Sequence, residues 1–257
     1  MKKNVFQKGS PNPSDYINKP IHEKCCSFLI NLERRTDRLQ QFENRYIPND
    51  FIDLYIKKAV EGEKPNIPVV KKLMSGEYGC FFSHYQIWKY IKENSIPYCC
   101  IYEDDVIFSK DYNEKLHLLL KELPMDFNIL YLGGRFYDNY HSKNVSKVTE
   151  NIYKHNLSPY LKSNKYALEK EKNMRIGNRT GHWPQNDLDR TTHAYIISLK
   201  CAEFLCEQIC EKNPIISMNR PVDHFLMDVL YKKYKLDILN SQPLIAWSPQ
   251  KGDSDIR

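Results

Sequence analysis

The sequence lacks several features that mark whole classes of protein. Its 257 residues contain no run of about 18 consecutive apolar residues, so we expect no membrane-spanning helix. The eight cysteines form no C-x-x-C pair, which argues against a zinc site. No G-x-x-x-x-G-K-S/T loop is present, and the basic residues form no long stripe. These absences predict a protein with no integral membrane segment and no nucleic acid partner.

The amino-terminal segment, MKKNVFQKGSPNPSDY, lacks the apolar core of a signal peptide, so we expect none. Two adjacent cysteine pairs, Cys25–Cys26 and Cys99–Cys100, lie inside apolar runs, where cysteine behaves as a small hydrophobic residue. Reduced thiols of this kind are typical of a cytoplasmic compartment. We therefore expect a cytoplasmic protein, in its own cell or in a host cell.

The composition is that of an ordinary soluble globular protein, with 41% hydrophobic and 27% charged residues. The net charge of +6 comes largely from lysine pairs and from the tract LEKEKNMR. Such charge either forms a solvated surface or attracts an anionic partner, such as a nucleotide, a nucleic acid or an acidic membrane. The lack of any nucleic-acid-binding motif argues against the second of these partners.

Short apolar segments alternate with helix-compatible segments along most of the chain. This alternation predicts a three-layer α/β fold with a mainly parallel central sheet. The predicted strands are CCSFLI, FIDLYIKKAV, YCCIY, FNILYLGG and HAYIIS. Residues 136–192 break the rhythm with a polar, poorly periodic insert, and loops of that length are usually functional or disordered. We expect an extension over residues 1–24 and one domain over residues 25–257.

Two predicted helices have distinct features. Between Glu77 and Asn94, large apolar side chains recur at helical spacing, which is typical of a core-facing stripe. The members of this stripe are Tyr78, Phe81, Phe82, Tyr85, Trp88 and Ile91. The segment DYNEKLHLLLKEL predicts another helix, with Asp111 as a candidate amino-terminal cap.

Three consecutive carboxylates, Glu103, Asp104 and Asp105, follow the predicted buried strand YCCIY. Neighbouring carboxylates repel, and a proton or a bound cation relieves the repulsion. Ligands of parallel sheets bind at the carboxyl ends of the strands, where we also expect Asn31 to Arg38. Oxygen ligands suit Mg²⁺ or Mn²⁺, and such an ion can assist the departure of a diphosphate. An isolated acidic triplet is, however, more often a solvated turn.

The surroundings of the triplet add specificity. Eight short blocks occur in a fixed order: FLINLERRTDRL, KKAVEG, GEYGCFFSH, IYEDDVIF, LYLGG, HAYIIS, PVDHFLMD and SDI. Together they resemble glycosyltransferase family 25. The resemblance implies a GT-A-type fold, Mn²⁺ and an inverting transfer from a nucleotide sugar, usually UDP-galactose or UDP-glucose. The acceptor it implies is a hydroxyl on a glycan or on hydroxylysine of a collagen-like protein. The resemblance does not cover residues 136–192, but their length and polarity lead us to expect them on the acceptor side.

The resemblance also assigns roles to individual residues. The expected metal ligands are Glu103, Asp105 and Asp255, although the last could belong to a disordered tail. The expected contacts to the donor nucleotide sugar are Asn31, Arg35, Arg38, Val60, Ser83, His84 and Asp104. The alternative interpretation of Arg35 and Arg38 is that they are surface charges, and the alternative for His84 is a structural role.

Asp223, in PVDHFLMD, is the expected general base that takes the proton of the acceptor hydroxyl. A helix cap is the competing interpretation of this residue.

Two other functions stay open at this level. One is a catalytically inactive protein of the same fold that binds a nucleotide sugar. The other is a Mg²⁺-dependent nucleotidyltransferase, which would also need carboxylates and basic residues.

Overall fold

The computed structural model of the chain describes residues 5–62, 73–136, 175–178, 188–209 and 219–226, followed by short stretches within 229–247. Asp255 and most of the polar insert lie outside the described residues, so their predicted roles stay predictions. All seven cysteines in the described part of the chain are free thiols. None of the described helices combines the length and the apolar character needed to span a membrane.

The described chain contains eleven strands and five α-helices. The strands are β1 (Cys25–Asn31), β2 (Ile52–Lys58), β3 (Tyr98–Glu103), β4 (Ile107–Phe108), β5 (Ile129–Tyr131), β6 (Gly133–Phe136), β7 (Arg175–Asn178), β8 (Leu188–Arg190), β9 (Ala194–Ser198), β10 (Ile238–Gln242) and β11 (Ala246–Trp247). The helices are α1 (Thr36–Arg45), α2 (Ser75–Glu93), α3 (Tyr112–Glu122), α4 (Leu199–Glu207) and α5 (Val222–Leu226).

The central sheet of the described chain has seven strands in the order β2-β1-β3-β9-β5-β10-β7. Strands β2, β1, β3, β5 and β10 run in one direction, whereas β9 and β7 run in the other. The expected α/β fold with a mainly parallel sheet is therefore confirmed. Strand β9 enters between two strands of the opposite direction, a feature that the alternation of elements did not predict.

A second sheet, with the order β4-β11-β6-β8, lies beyond the end of β3. Its first strand, β4, follows the acidic triplet after a tight turn. The strand-like segment LDILNSQPLIAW is divided between the two sheets as β10 and β11. The triplet is therefore held at the point where the chain passes from one sheet to the other.

Two apolar cores, one on each face of the central sheet, make the fold a three-layer sandwich. On one face, residues of α2, α4 and α5 pack against the sheet, with Phe81, Trp88 and Leu205 fully buried. On the other face, α1 and α3 supply Phe42 and Leu116, which are also fully buried. Burial of a large apolar side chain contributes about 1.5–3 kcal/mol.

Helix α2 begins two residues before its predicted start and ends one residue before its predicted end. Its aromatic stripe faces the core as expected, because side chains at helical spacing share one face. Asp111 occupies the N-cap position of α3 as predicted, but its side chain makes no capping hydrogen bond and instead pairs with Lys115 Nζ at 2.7 Å.

The described part of the amino-terminal extension packs against the central sheet. Tyr16 is 2% exposed, and its hydroxyl donates a hydrogen bond to Asp53 Oδ2 at 3.0 Å. Lys24 Nζ lies 2.7 Å from the other oxygen of the same carboxylate. These contacts fasten the extension to strand β2.

The backbone of the loop that follows β2 lies close to the backbone of the first turns of α2. A Cβ atom added to Gly79 would lie 2.4 Å from Val60 O, and one added to Gly62 would lie 1.7 Å from Ser75 O. Ser83 Oγ bonds to both sides of this contact, since it donates to Gly79 O at 2.7 Å and accepts from Val60 N at 2.8 Å. Glycine is required here for close approach.

We expect Gly79→Ala to lower the free energy of unfolding by about 1–3 kcal/mol, because the new methyl group collides with backbone. Helix propensity alone predicts the opposite sign, a gain of about 0.5–1 kcal/mol. Urea titration followed by circular dichroism measures the difference. Lys89→Ala, on the exposed side of the same helix, is the control and should change stability by less than about 0.5 kcal/mol. A stabilised Gly79→Ala protein would show that the contact is not tight.

Candidate functional site

The candidate site lies where β1 and β3 end. The two strands are parallel, with Ile30 opposite Glu103, so Asn31 and the acidic triplet reach the same edge of the sheet, as the sequence predicted. Strand β9 begins at this edge because it runs antiparallel to β3. The backbone N–H of Glu103 donates to His193 O at 2.9 Å. Three chain segments that are distant in sequence therefore meet here.

Buried polar side chains concentrate at this edge. Among the described residues, seven of the eleven buried polar or charged side chains belong to the site or to its immediate support: Asn31, Arg35, Ser83, His84, Asp104, Thr191 and Thr192. Burial of polar groups costs free energy unless hydrogen bonds compensate for lost water. Such a concentration is typical of a functional site rather than of a packing core.

Asp104 is the most enclosed carboxylate of the triplet. Asn31 Nδ2 donates to its Oδ2 at 2.8 Å, and Arg38 donates to its Oδ1 at 3.0 Å. Burial raises the pKa of Asp104 to about 6, and the charge of Asp105 adds to this effect, although Arg38 and Asn31 oppose it. Two of the predicted donor-binding residues, Asn31 and Arg38, therefore contact a third, Asp104.

Glu103 has a different environment. Its Oε1 accepts hydrogen bonds from Thr192 Oγ1 and from His84 Nε2, the latter at 3.2 Å. Its Oε2 lies 3.9 Å from His193 Nε2. Burial acts to raise the pKa of Glu103, but His193, His84 and Thr192 together outweigh it and lower the pKa to about 2. Glu103 is therefore ionised at neutral pH.

Asp105 completes a cluster that fits a divalent cation. Its Oδ1 lies 3.2 Å from His193 Nε2. This oxygen is buried and has no hydrogen-bond partner among the described residues. Ligand atoms of Glu103, Asp105 and His193 all lie within 4.8 Å of one another. Two carboxylates and one imidazole make a donor set suited to Mn²⁺ and similar ions.

His193 is the residue of this cluster that the sequence did not predict to be a metal ligand. It precedes a buried strand, where a histidine most often has a packing role. Its place beside the triplet depends on the antiparallel direction of β9, which no local pattern reveals. One signal in the sequence was the predicted strand HAYIIS, because its first residue, His193, must lie at an end of that strand and therefore at an edge of the sheet.

The other predicted donor contacts lie around this centre. Arg35 is buried and binds Asp37 through two hydrogen bonds, of 2.9 and 2.8 Å. The hydrogen bonds from Arg35 lower the pKa of Asp37 to about 2. Ser83 and His84 are fully buried behind the site, and Val60 is held by Ser83. Direct contact of these four residues with a donor stays a prediction.

Asp223 lies in the first turn of α5, half-buried, and accepts a hydrogen bond from His224 N at 2.8 Å. Its relation to the triplet follows from the Cys80 thiol. Burial raises the pKa of Cys80, and the charges of Glu103, Asp223, Asp105 and Asp104 raise it further. All four carboxylates therefore act electrostatically on the same thiol. Its role as a base stays a prediction.

The family model described as "Glycosyltransferase family 25 (LPS biosynthesis protein)" matches residues 25–226. The match covers β1, the acidic triplet, His193 and Asp223.

Several curated proteins are similar to this chain. Procollagen galactosyltransferase 1-A of Xenopus laevis is 32% identical over 157 residues, which is 51% of this chain and 26% of that protein. Procollagen galactosyltransferase 2 of Homo sapiens is 26% identical over 247 residues, 87% of this chain and 33% of that protein. Inactive glycosyltransferase 25 family member 3 of Mus musculus is 26% identical over 128 residues, 42% of this chain and 22% of that protein. The chain therefore matches a third or less of each relative's length.

Among solved structures, a glycosyltransferase involved in the glycosylation of the major capsid of PBCV-1 aligns with 90% of this chain and 95% of its own. The TM-score is 0.42 and the sequence identity is 8%.

The pKa of Glu103 generates a pH prediction for the metal-free protein. A carboxylate whose pKa falls from 4.5 to about 2 on folding stabilises the fold above pH 4.5 and loses that contribution as the pH falls through about 2. We expect Glu103→Gln to lower the free energy of unfolding by about 3 kcal/mol at pH 6 and by progressively less below pH 4.5. Denaturant titrations in the presence of a chelator measure both proteins across this range. A difference independent of pH would contradict the assignment.

Proposed function

Because the chain belongs to glycosyltransferase family 25, we propose that it is a metal-dependent inverting hexosyltransferase of the GT-A type. It moves galactose or glucose from UDP-galactose or UDP-glucose to a hydroxyl group. The acceptor is a glycan or the hydroxylysine of a collagen-like protein, in keeping with the two procollagen galactosyltransferases that are similar to the chain.

The observation that carries this proposal is that the carboxylates of the triplet face two different sets of residues. Glu103 and Asp105 face His193, whereas Asp104 faces Asn31 and Arg38. A cation-binding centre and a polar, partly cationic surface therefore adjoin at the ligand-binding edge of the sheet. A nucleoside diphosphate sugar needs both, since it presents a charged diphosphate beside a ribose and a base.

Glu103, Asp105 and His193 are the residues that would hold the cation. When bound, a divalent cation supplies neutralisation of the charge that develops on the diphosphate leaving group. The imidazole nitrogen favours Mn²⁺ over Mg²⁺, because Mg²⁺ binds almost exclusively to oxygen. The sequence left the choice between these two ions open, and His193 supports Mn²⁺.

Asp223 is the proposed general base. The attacking hydroxyl must lose its proton to a group across the sugar from the diphosphate, so a triplet carboxylate cannot serve. Asp223 belongs to a separate element, α5, but lies close enough to the triplet to share its effect on the Cys80 thiol.

An inactive protein that binds a nucleotide sugar is the second candidate, because one similar protein, that of Mus musculus, is described as inactive. One assay distinguishes the candidates. The protein is incubated with a panel of UDP-sugars, with and without Mn²⁺, and release of UDP is measured. UDP release that needs Mn²⁺ supports a transferase, binding without release supports the inactive protein, and release of sugar 1-phosphate indicates nucleotidyl transfer. Activity that persists in excess EDTA would contradict metal dependence.

We expect His193→Gln to weaken Mn²⁺ binding about tenfold and Mg²⁺ binding much less, because it replaces a nitrogen ligand by an amide oxygen. Isothermal titration with each ion measures both affinities. His22→Gln changes a histidine remote from the site and is the matched control. Equal losses for the two ions would exclude His193 as a nitrogen ligand.

We expect Asp223→Asn to reduce transfer at least about 100-fold, because the amide cannot accept a proton. Thermal stability and UDP affinity should stay near those of the wild type, since asparagine keeps the local hydrogen bond to His224 N. Steady-state kinetics, a melting curve and UDP titration measure the three properties. A variant that transfers sugar at near the wild-type rate would show that Asp223 is only structural.

A further inference from the structure

Behind the triplet lies a chain of buried hydrogen bonds that the proposed reaction does not use directly. Trp88 Nε1 donates to Tyr195 OH at 2.9 Å, and the same hydroxyl lies 2.9 Å from His84 Nδ1. His84 Nε2 lies 3.2 Å from Glu103 Oε1. Trp88, Tyr195 and His84 are each 0% exposed. A chain of directional bonds therefore runs from the α2 core to one carboxylate oxygen.

When the imidazole of His84 carries a single proton, the chemistry of these groups sets the direction of every bond. An indole N–H can only donate, so Tyr195 accepts from Trp88. The tyrosine hydroxyl has one proton of its own, and His84 Nδ1 is positioned to accept it. A neutral His84 with an unprotonated Nδ1 carries its proton on Nε2, which then donates to Glu103. The hydrogen-bond pattern thus selects one tautomer of the imidazole.

The selected tautomer determines how Glu103 is presented. Its Oε1 is occupied by two donors, His84 and Thr192. Its Oε2 is the oxygen that lies toward His193, on the side of Asp105. A carboxylate fixed through one oxygen loses rotational freedom, so the other oxygen is pre-organised for a ligand.

We propose that Tyr195 and Trp88 are positioning residues that set the tautomer of His84 and thereby orient Glu103 toward a divalent cation. This inference rests on the cation site of the proposed function. It goes beyond that function because neither aromatic residue belongs to the cluster of ligand atoms. The alternative is that both side chains only fill the core, in which case the hydroxyl of Tyr195 contributes to stability alone.

Tyr195→Phe tests the proposal, with Tyr102→Phe as its matched control. Tyr102 is also 0% exposed, and its hydroxyl bonds to Tyr112 OH at 2.7 Å on the opposite face of the sheet. Each variant loses one buried hydroxyl, so each melting temperature should fall by a few degrees, about 2–8 °C. Only Tyr195→Phe should weaken Mn²⁺ binding, by about tenfold, as measured by titration of the full chain without donor. Equal Mn²⁺ affinities in the two variants would overturn the proposal.

His84→Gln supplies a second, independent measurement. Glutamine can donate to Glu103 without help from Tyr195, so adding Tyr195→Phe to it should weaken Mn²⁺ binding no further. We call the path from Tyr195 through His84 to Glu103 the relay. If the losses of Mn²⁺ affinity caused by the two substitutions multiply in the double variant, the relay is excluded, because residues that act through one another must be non-additive.

Failure of the relay and failure of the cation site give different results. If His193→Gln weakens Mn²⁺ binding but Tyr195→Phe does not, the cation site stands and the relay is wrong. If the wild-type protein binds no Mn²⁺ at millimolar concentration, the site is wrong and the relay proposal falls with it.

Discussion

The antiparallel pairing of β9 with β3 is the constraint on which the candidate site depends. A parallel strand at this position would bring its end, rather than its beginning, to the edge where β3 ends. Because β9 runs the other way, Thr192 and His193 arrive beside Glu103, and the backbone N–H of Glu103 bonds to His193 O. The same register places Tyr195 opposite Ile101, on the face where α2 supplies His84.

The three adjacent carboxylates are compatible with a stable fold because each has a different environment. Glu103 is held by His84 and Thr192, and its pKa falls to about 2 despite burial. Asp104 faces Asn31 and Arg38, and burial raises its pKa to about 6. Asp104 therefore takes up a proton at a higher pH than Glu103 does, which relieves part of the repulsion within the triplet as the pH falls toward 6. Adjacent carboxylates are thus tolerated in this sequence because neighbouring side chains contact different partners.

Helix α2 combines the apolar core with the support of the site. Its aromatic stripe stabilises the sandwich, while Ser83 and His84, also fully buried, hold the Val60 loop and Glu103 respectively. Loss of packing in the helix would therefore be expected to disturb the carboxylate geometry as well as stability. Gly79 belongs to the same arrangement, since only a residue without Cβ lets the loop approach the helix backbone.

The sequence by itself determined the alternating elements, the buried stripe of α2, the position of the triplet at the end of β3 and its proximity to Asn31. These features depend on side-chain periodicity and on the rule that parallel strands end at a common edge, both of which are local or general. It did not determine the role of His193 or the relay through Tyr195, whose hydroxyl meets a histidine 111 residues away in the chain. Only the tertiary structure decided these, because the direction and register of β9 are set by hydrogen bonds and packing between distant segments, and a one-residue shift would turn His193 to the opposite face.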